Sequence, residues 1–172
     1  MIVAEQKHLD ELKTLIGNAE KVLVVGCGTC VTVCFAGGAR EAAITSASLR
    51  MSTKLDGNGV QVSDVTVQRQ CEWEYLDQIA EQVNAADVVL SLGCGIGVQA
   101  IAEHFPQKWV VPGLNTAFMG LPTEQGVWTE RCGLRRLHSG ADGRHLPDSA
   151  LFEVTVKRSM RRFGGGALRN RQ

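Results

Sequence analysis

Residues 21–38, KVLVVGCGTCVTVCFAGG, join a short apolar run to a turn that carries three cysteines. The run over 21–26 is continuous and rich in β-branched side chains, which is typical of a strand buried on both faces of a parallel sheet. Cys27, Cys30 and Cys34 follow this run directly. The stretch therefore predicts a central strand that ends in a turn rich in thiols.

The chain on either side of this stretch alternates between strand and helix patterns. Further strand patterns cover 59–68, 87–93 and 108–113. Helical patterns cover 4–17, 37–55, 72–86 and 97–105, and glycines and prolines bound a predicted loop over 112–122. Such alternation predicts an α/β fold, with a mainly parallel open sheet of about four strands flanked by helices.

The remaining thiols of the predicted domain also follow strands. Cys71 comes after the second predicted strand, and Cys94 comes after the third. All five cysteines are therefore expected at the carboxyl edge of the sheet, where open α/β sheets bind ligands. This convergence favours a binding site over cysteines scattered through the core.

The spacing C-x2-C-x3-C, with a further cysteine from each of two neighbouring strand ends, offers four or five thiolates to a metal. Thiolates select zinc or iron–sulfur clusters. His8 and His104 fall in predicted helices away from the turn, so the donor set is all sulfur. We expect a [4Fe–4S] cluster, with zinc as the alternative. Glycines beside Cys27 and Cys94 are expected to let the backbone approach a bulky cluster.

Three other interpretations remain open. Free cysteines are commonly buried as small apolar side chains, so crowded turns would also explain them. A thiol redox pair formed by Cys27 and Cys30 predicts a metal-free protein with a reactive thiol. A nucleotide site is disfavoured, because GCGTCV lacks the third glycine of the dinucleotide fingerprint and GCGIG matches neither that fingerprint nor a P-loop.

Five ordered motifs now resemble one family: VLVVGCGTCVTVCFAGG, RQCEWEYLDQI, SLGCGIGVQAIAE, PGLNTAFMG and ERC. The resemblance is to the methylenetetrahydrofolate reductase C-terminal domain family, the small iron–sulfur partner of some anaerobic methylenetetrahydrofolate reductases. It covers about residues 1–133. It implies an accessory subunit of one-carbon metabolism that passes electrons to or from a separate flavin-containing reductase subunit, with a further electron-donor subunit as a candidate partner.

The resemblance also implies a ligand set, without any catalytic residue. Four of the five cysteines are expected to bind the metal, with Cys30 and Cys34 as the strongest candidates; the set is Cys27, Cys30, Cys34, Cys71 and Cys94. The chain lacks the flavin- and folate-binding barrel of the reductase. We therefore expect a non-catalytic subunit of an oxidoreductase.

The cellular location is predicted to be the cytoplasm. The N-terminal stretch is acidic and lacks the pattern of a signal peptide. No apolar run approaches the roughly 20 residues that a membrane span needs. Six cysteines fit metal or redox chemistry in a reducing compartment better than a disulfide framework.

Residues 134–172 form an Arg/Gly-rich tail that departs from the family pattern. Residues 1–130 carry a net charge of −7 and residues 131–172 carry +7. The family continues with a second cysteine array, whereas this tail has no cysteine, which leaves Cys132 as a remnant of a second site. No recognised nucleic-acid-binding module is present, so nucleic acid is not an expected partner.

A shifted reading frame explains the tail. A permitted choice of codons for residues 134–163, read one base later, restores the missing cysteine pattern at the family's spacing. Methionine has the single codon ATG, so Met160 before an Arg161 encoded by CGN gives TGC, a cysteine codon, in that frame. We therefore predict a domain over 1–133 and a frameshifted remnant over 134–172.

Overall fold

The computed structural model describes residues 2–124 and 127–130 of the chain. The strands are β1 (Ile2–Gln6), β2 (Lys21–Cys27), β3 (Gln61–Val67), β4 (Val88–Leu92), β5 (Trp109–Pro112), β6 (Leu114–Glu124) and β7 (Val127–Glu130). The helices are α1 (Leu9–Ile16), α2 (Cys30–Val33), α3 (Ala39–Leu55), α4 (Trp73–Asp77), α5 (Ala80–Ala85) and α6 (Gly95–His104).

Four strands form a parallel sheet in the order β3-β2-β4-β5. The predicted α/β fold with four parallel strands flanked by helices is therefore confirmed. β2 lies in the interior of the sheet, with Val24 opposite Asp64 of β3 on one side and Leu90 of β4 on the other. Every residue of β2 after Lys21 is buried, which is why its sequence is apolar without alternation.

The core has two halves, one on each face of this sheet. Val24 and Leu90 pack with apolar side chains of α1 and α3 on one face. Val25 and Val89, their neighbours along the strands, pack with side chains of α4, α5 and α6 on the other face. Successive side chains of a strand point to opposite faces, so a strand covered on both sides needs an apolar residue at each position.

A second, antiparallel sheet in the order β1-β6-β7 corrects two predictions. The helix predicted over 4–17 begins only at Leu9, because the preceding residues form β1, with Ile2 and Ala4 buried. The loop predicted over 112–122 is largely strand β6, and Ile2 lies opposite Met119 in the pairing. Both errors have one cause, since each segment becomes a strand by pairing with a partner more than a hundred residues away.

The helix predicted over 72–86 is divided in two. α4 ends at Asp77 and α5 begins at Ala80. Ile79, between them, is buried and has φ −111° and ψ 11°, outside helical geometry. Burial of Ile79 against the second half of the core accounts for the break.

The predicted boundary at residue 133, the tail over 134–172 and Cys132 lie outside the described residues. Among the described residues, no helix combines the length and the apolar character needed to cross a bilayer.

Candidate metal centre

The first two thiols follow the interior strand β2. β2 ends at Cys27, whose side chain is buried, and α2 begins three residues later at the exposed Cys30. Two hydrogen bonds hold this turn: the Cys27 N–H donates to the carbonyl of Gly37 at 2.8 Å, and the Thr32 hydroxyl donates to the carbonyl of Cys27 at 2.8 Å. The turn therefore presents Cys27 and Cys30 at the carboxyl edge of the sheet, as predicted.

The strands on either side of β2 supply one thiol each. Cys71 lies four residues beyond the end of β3 and is exposed. Cys94 lies two residues beyond the end of β4, is half-buried, and is the N-cap residue of α6. The backbone N–H groups of Gly97 and Ile96 lower the pKa of Cys94, although its side chain forms no N-cap hydrogen bond. The first turn of α6 thus points its hydrogen-bond donors at one of the candidate ligands.

The charges of Cys27 and Cys30 act on both Cys71 and Cys94. Burial raises the pKa of Cys94, against the hydrogen bonds from Gly97 and Ile96, and the charges of Cys27 and Cys30 raise it further. Burial also raises the pKa of Cys71, and the charges of Cys27 and Cys30 again add to the shift. Each of the two outer thiols therefore senses both thiols of the central turn, and the ionised forms repel one another.

Cys34 differs from the other thiols in its contacts with β1. Its thiol donates to the carbonyl of Val31 at 3.4 Å and approaches the carbonyl of Ala4, in β1, at 3.9 Å. The sulfur packs against the half of the core that contains Ile2 and Ala4. The sequence ranks Cys34 among the strongest candidates; in the fold its thiol contacts β1 and packs against the same half of the core as Cys27 and Cys94.

The donor set fits a thiolate-bound metal in its chemistry. Four thiols surround the ends of three adjacent strands, and repulsion between their ionised forms is the kind of strain that a bound cation removes. Within residues 2–120, where side chains are described, no three potential ligands stand at coordinating positions. Binding would therefore draw the exposed Cys30 and Cys71 toward Cys27 and Cys94.

A buried glutamine beside the site escapes sequence analysis. Gln70 precedes Cys71, yet its side chain has no exposed surface. Its amide nitrogen donates to the carbonyl of Val25 at 2.8 Å, and its amide oxygen accepts the hydroxyl of Ser91 at 2.6 Å. Glutamine is usually a surface residue, so nothing in the motif RQC predicts this burial.

Not every glycine beside Cys94 leaves free space for the backbone to approach a cluster. A Cβ placed on Gly93 would collide with the carboxamide of Gln70, and one on Gly97 would lie 2.9 Å from its oxygen. Gly95 faces open space. Of the two glycines flanking Cys94, Gly93 thus makes room for Gln70, and only Gly95 leaves the free space that a cluster would need.

Several large apolar side chains that lie close to the cysteines in the sequence are exposed. Val33 and Phe35 follow Cys30, Trp73 follows Cys71, and Ile96 follows Cys94, and all four are exposed. Phe35 is 78% exposed and has a positive φ of 55°, which an L-residue with a bulky side chain rarely adopts. Val33, Phe35, Trp73 and Ile96 are together called the apolar rim below.

Comparison with known proteins returns no relative. No protein-family model matches the chain, and neither a curated protein nor a solved structure matches it.

Proposed function

We propose that the chain is an iron–sulfur accessory subunit of a methylenetetrahydrofolate reductase complex in the cytoplasm. In this role it transfers electrons to or from a separate flavin-containing catalytic subunit. The observation that supports the proposal is the position of Cys27, Cys30, Cys71 and Cys94 at or just after the carboxyl ends of three adjacent strands. The choice of family is supported by the resemblance of the five ordered sequence motifs alone.

The arrangement suits a cofactor that exchanges electrons across a protein surface. A [4Fe–4S] cluster is held by four cysteine thiolates, and when bound it passes single electrons. Cys27 anchors such a site on a buried strand end, while Cys30 and Cys71 reach the surface. A site at the surface keeps the distance to a partner's flavin short.

The residues around the thiols have roles of their own. The N–H groups of Ile96 and Gly97 stabilise negative charge on the Cys94 sulfur, and hydrogen bonds to ligand sulfurs tune the potential of a bound cluster. The apolar rim of Val33, Phe35, Trp73 and Ile96 suits contact with a partner, because aromatic side chains are enriched at protein interfaces.

Zinc is the second candidate, because the same four thiols satisfy a structural zinc site. In that case the metal holds the three turns together and partner contact is the function. The fold is common to both candidates, so the identity of the metal separates them.

The test uses the full chain, purified without oxygen. Iron, zinc and acid-labile sulfide are measured per chain beside a visible spectrum. The proposal expects about four iron and four sulfide, with a broad band near roughly 400 nm. About one zinc without iron would replace electron transfer by the structural role. A metal-free chain with one reactive thiol would instead favour the Cys27–Cys30 redox pair.

The tail over 134–172 adds a second question to the proposal. If it is a frameshifted remnant, the chain retains one cluster site and has lost another, and Cys132 has no partners of the second array. The nucleotide sequence of the gene decides this. Codons that cannot encode the cysteine pattern in the shifted frame would end the hypothesis.

A further inference from the structure

We propose that Gln70 is a positioning residue, which locks the turns carrying Cys71 and Cys94 to the interior strand β2. The inference rests on the proposed function only for its consequence on metal binding. Gln70 directly precedes Cys71, and its fully buried side chain reaches the two other strand ends of the site. It therefore links the three turns that must hold one metal.

The link is a chain of three hydrogen bonds. The amide nitrogen of Gln70 donates to the carbonyl of Val25 at 2.8 Å, which ties the turn after β3 to β2. The hydroxyl of Ser91 donates to the amide oxygen of Gln70 at 2.6 Å, and the N–H of Gly93 donates to that hydroxyl at 3.1 Å. The last bond ends one residue before Cys94.

The shape of the surrounding backbone is complementary to this side chain. A Cβ at Gly93 would overlap the Gln70 carboxamide, and one at Gly97 would lie 3.0 Å from the Gln70 Cβ. Gly93 in the turn and Gly97 in the first turn of α6 therefore both fit against this one side chain. A buried amide in so close a pocket restricts the turns on either side of it, because each alternative position leaves a polar group without a partner.

The expected consequence of this hydrogen-bonded link is a higher affinity for the metal. Ligands on separate turns bind a metal more tightly when those turns are held in place before binding. Outer groups that orient ligands typically contribute about 10- to 100-fold to metal affinity. We assign that contribution to Gln70.

The test begins with the metal-free, reduced full chain, so that it does not depend on metal binding. The variants are Gln70→Met, which keeps much of the volume and removes the hydrogen bonds of the amide, and Ser91→Ala, which removes the bonds of the Ser91 hydroxyl to Gln70 and Gly93 but keeps the bond from Gln70 to Val25. Gln68→Met is the matched control, because Gln68 lies two residues away in the same turn and is exposed. Labelling of each thiol by a maleimide is followed by peptide mass spectrometry.

Cys94 is the reporter and Cys34 is the internal reference, since both are half-buried and only Cys94 adjoins the network. Gln70→Met should raise the labelling rate of Cys94 relative to Cys34 by about tenfold, because losing buried hydrogen bonds shifts local opening by that order. Ser91→Ala should act in the same direction, and Gln68→Met should change neither rate.

An equal increase in the labelling rates of Cys94 and Cys34 would indicate that the whole fold opens more easily and would overturn the proposal. Unchanged labelling rates would overturn it as well. If Gln70→Met does not fold, Ser91→Ala decides by the same criterion.

A Co(II) titration of each folded variant then measures affinity through the thiolate charge-transfer absorption, with an expected loss of about 10- to 100-fold for Gln70→Met. Unchanged Co(II) affinity in that variant would overturn the link to metal binding. Absence of thiolate absorption in the unmodified chain would refute the proposed function. The labelling result would still test whether Gln70 holds the turns in place.

Discussion

Substituting single cysteines should separate the metal ligands from the thiol that serves the fold. Cys71→Ser removes an exposed side chain, so the unfolding free energy of the metal-free chain should change by no more than about 0.5 kcal/mol. The same change removes one of four proposed ligands. Metal affinity should therefore fall by more than the roughly 100-fold that the loss of an outer-shell partner can cost.

Cys34→Ser should give the opposite pattern. The sulfur of Cys34 packs against the core near Ala4, and a hydroxyl there exchanges apolar contact for a more polar group. We expect a cost of about 1 kcal/mol, or roughly 2–4 °C in melting temperature for a chain of this size. Iron content should stay at the level of the unmodified chain.

Two measurements on the same preparations test the pair. Thermal unfolding of the metal-free chains gives the stabilities, and iron and sulfide analysis with Co(II) titration gives the metal site. Loss of iron in Cys34→Ser as complete as in Cys71→Ser would refute the assignment of Cys34 to the fold. Retention of a full cluster in Cys71→Ser would refute the four-thiol group itself.

Two further outcomes are expected. The pKa values of Cys71 and Cys94 are raised in the metal-free fold. Their contribution to stability is therefore present below the ordinary thiol pKa of about 8.5 and is lost as pH rises through the folded-state values. An increase of the unfolding free energy across this pH window, measured with urea, would contradict this expectation. Metal affinity should rise over the same window, because thiols must lose protons to bind, and a Co(II) affinity that fell would count against thiolate ligation. Gly93→Ala should lower the free energy of unfolding by about 1–3 kcal/mol, since its Cβ would overlap Gln70. Gly95→Ala should be close to neutral, because Gly95 faces open space. Equal melting temperatures for both variants would argue against the packing described.

The apolar run of β2 and the positions of the cysteines after strands could be read from the chain alone. Burial on both faces demands apolar residues at each position, and this leaves a local pattern over 21–26. In a parallel sheet all carboxyl ends lie at one edge, so the order of the elements sufficed to bring Cys27, Cys71 and Cys94 together. These conclusions need only local patterns and one rule of topology.

Contacts between segments far apart in the sequence determined the second sheet, the surroundings of Cys34 and the burial of Gln70. β1 and β6 are strands because they pair across more than a hundred residues, a relation that leaves no mark in either segment. Cys34 contacts the carbonyl of Ala4 because β1 lies beside α2 in the fold, a neighbour more than twenty residues away in the sequence. Gln70 is buried because the carbonyl of Val25 and the hydroxyl of Ser91 meet only in the folded sheet. The sequence determines which residues reach this edge, whereas packing between distant segments determines which of them face one another.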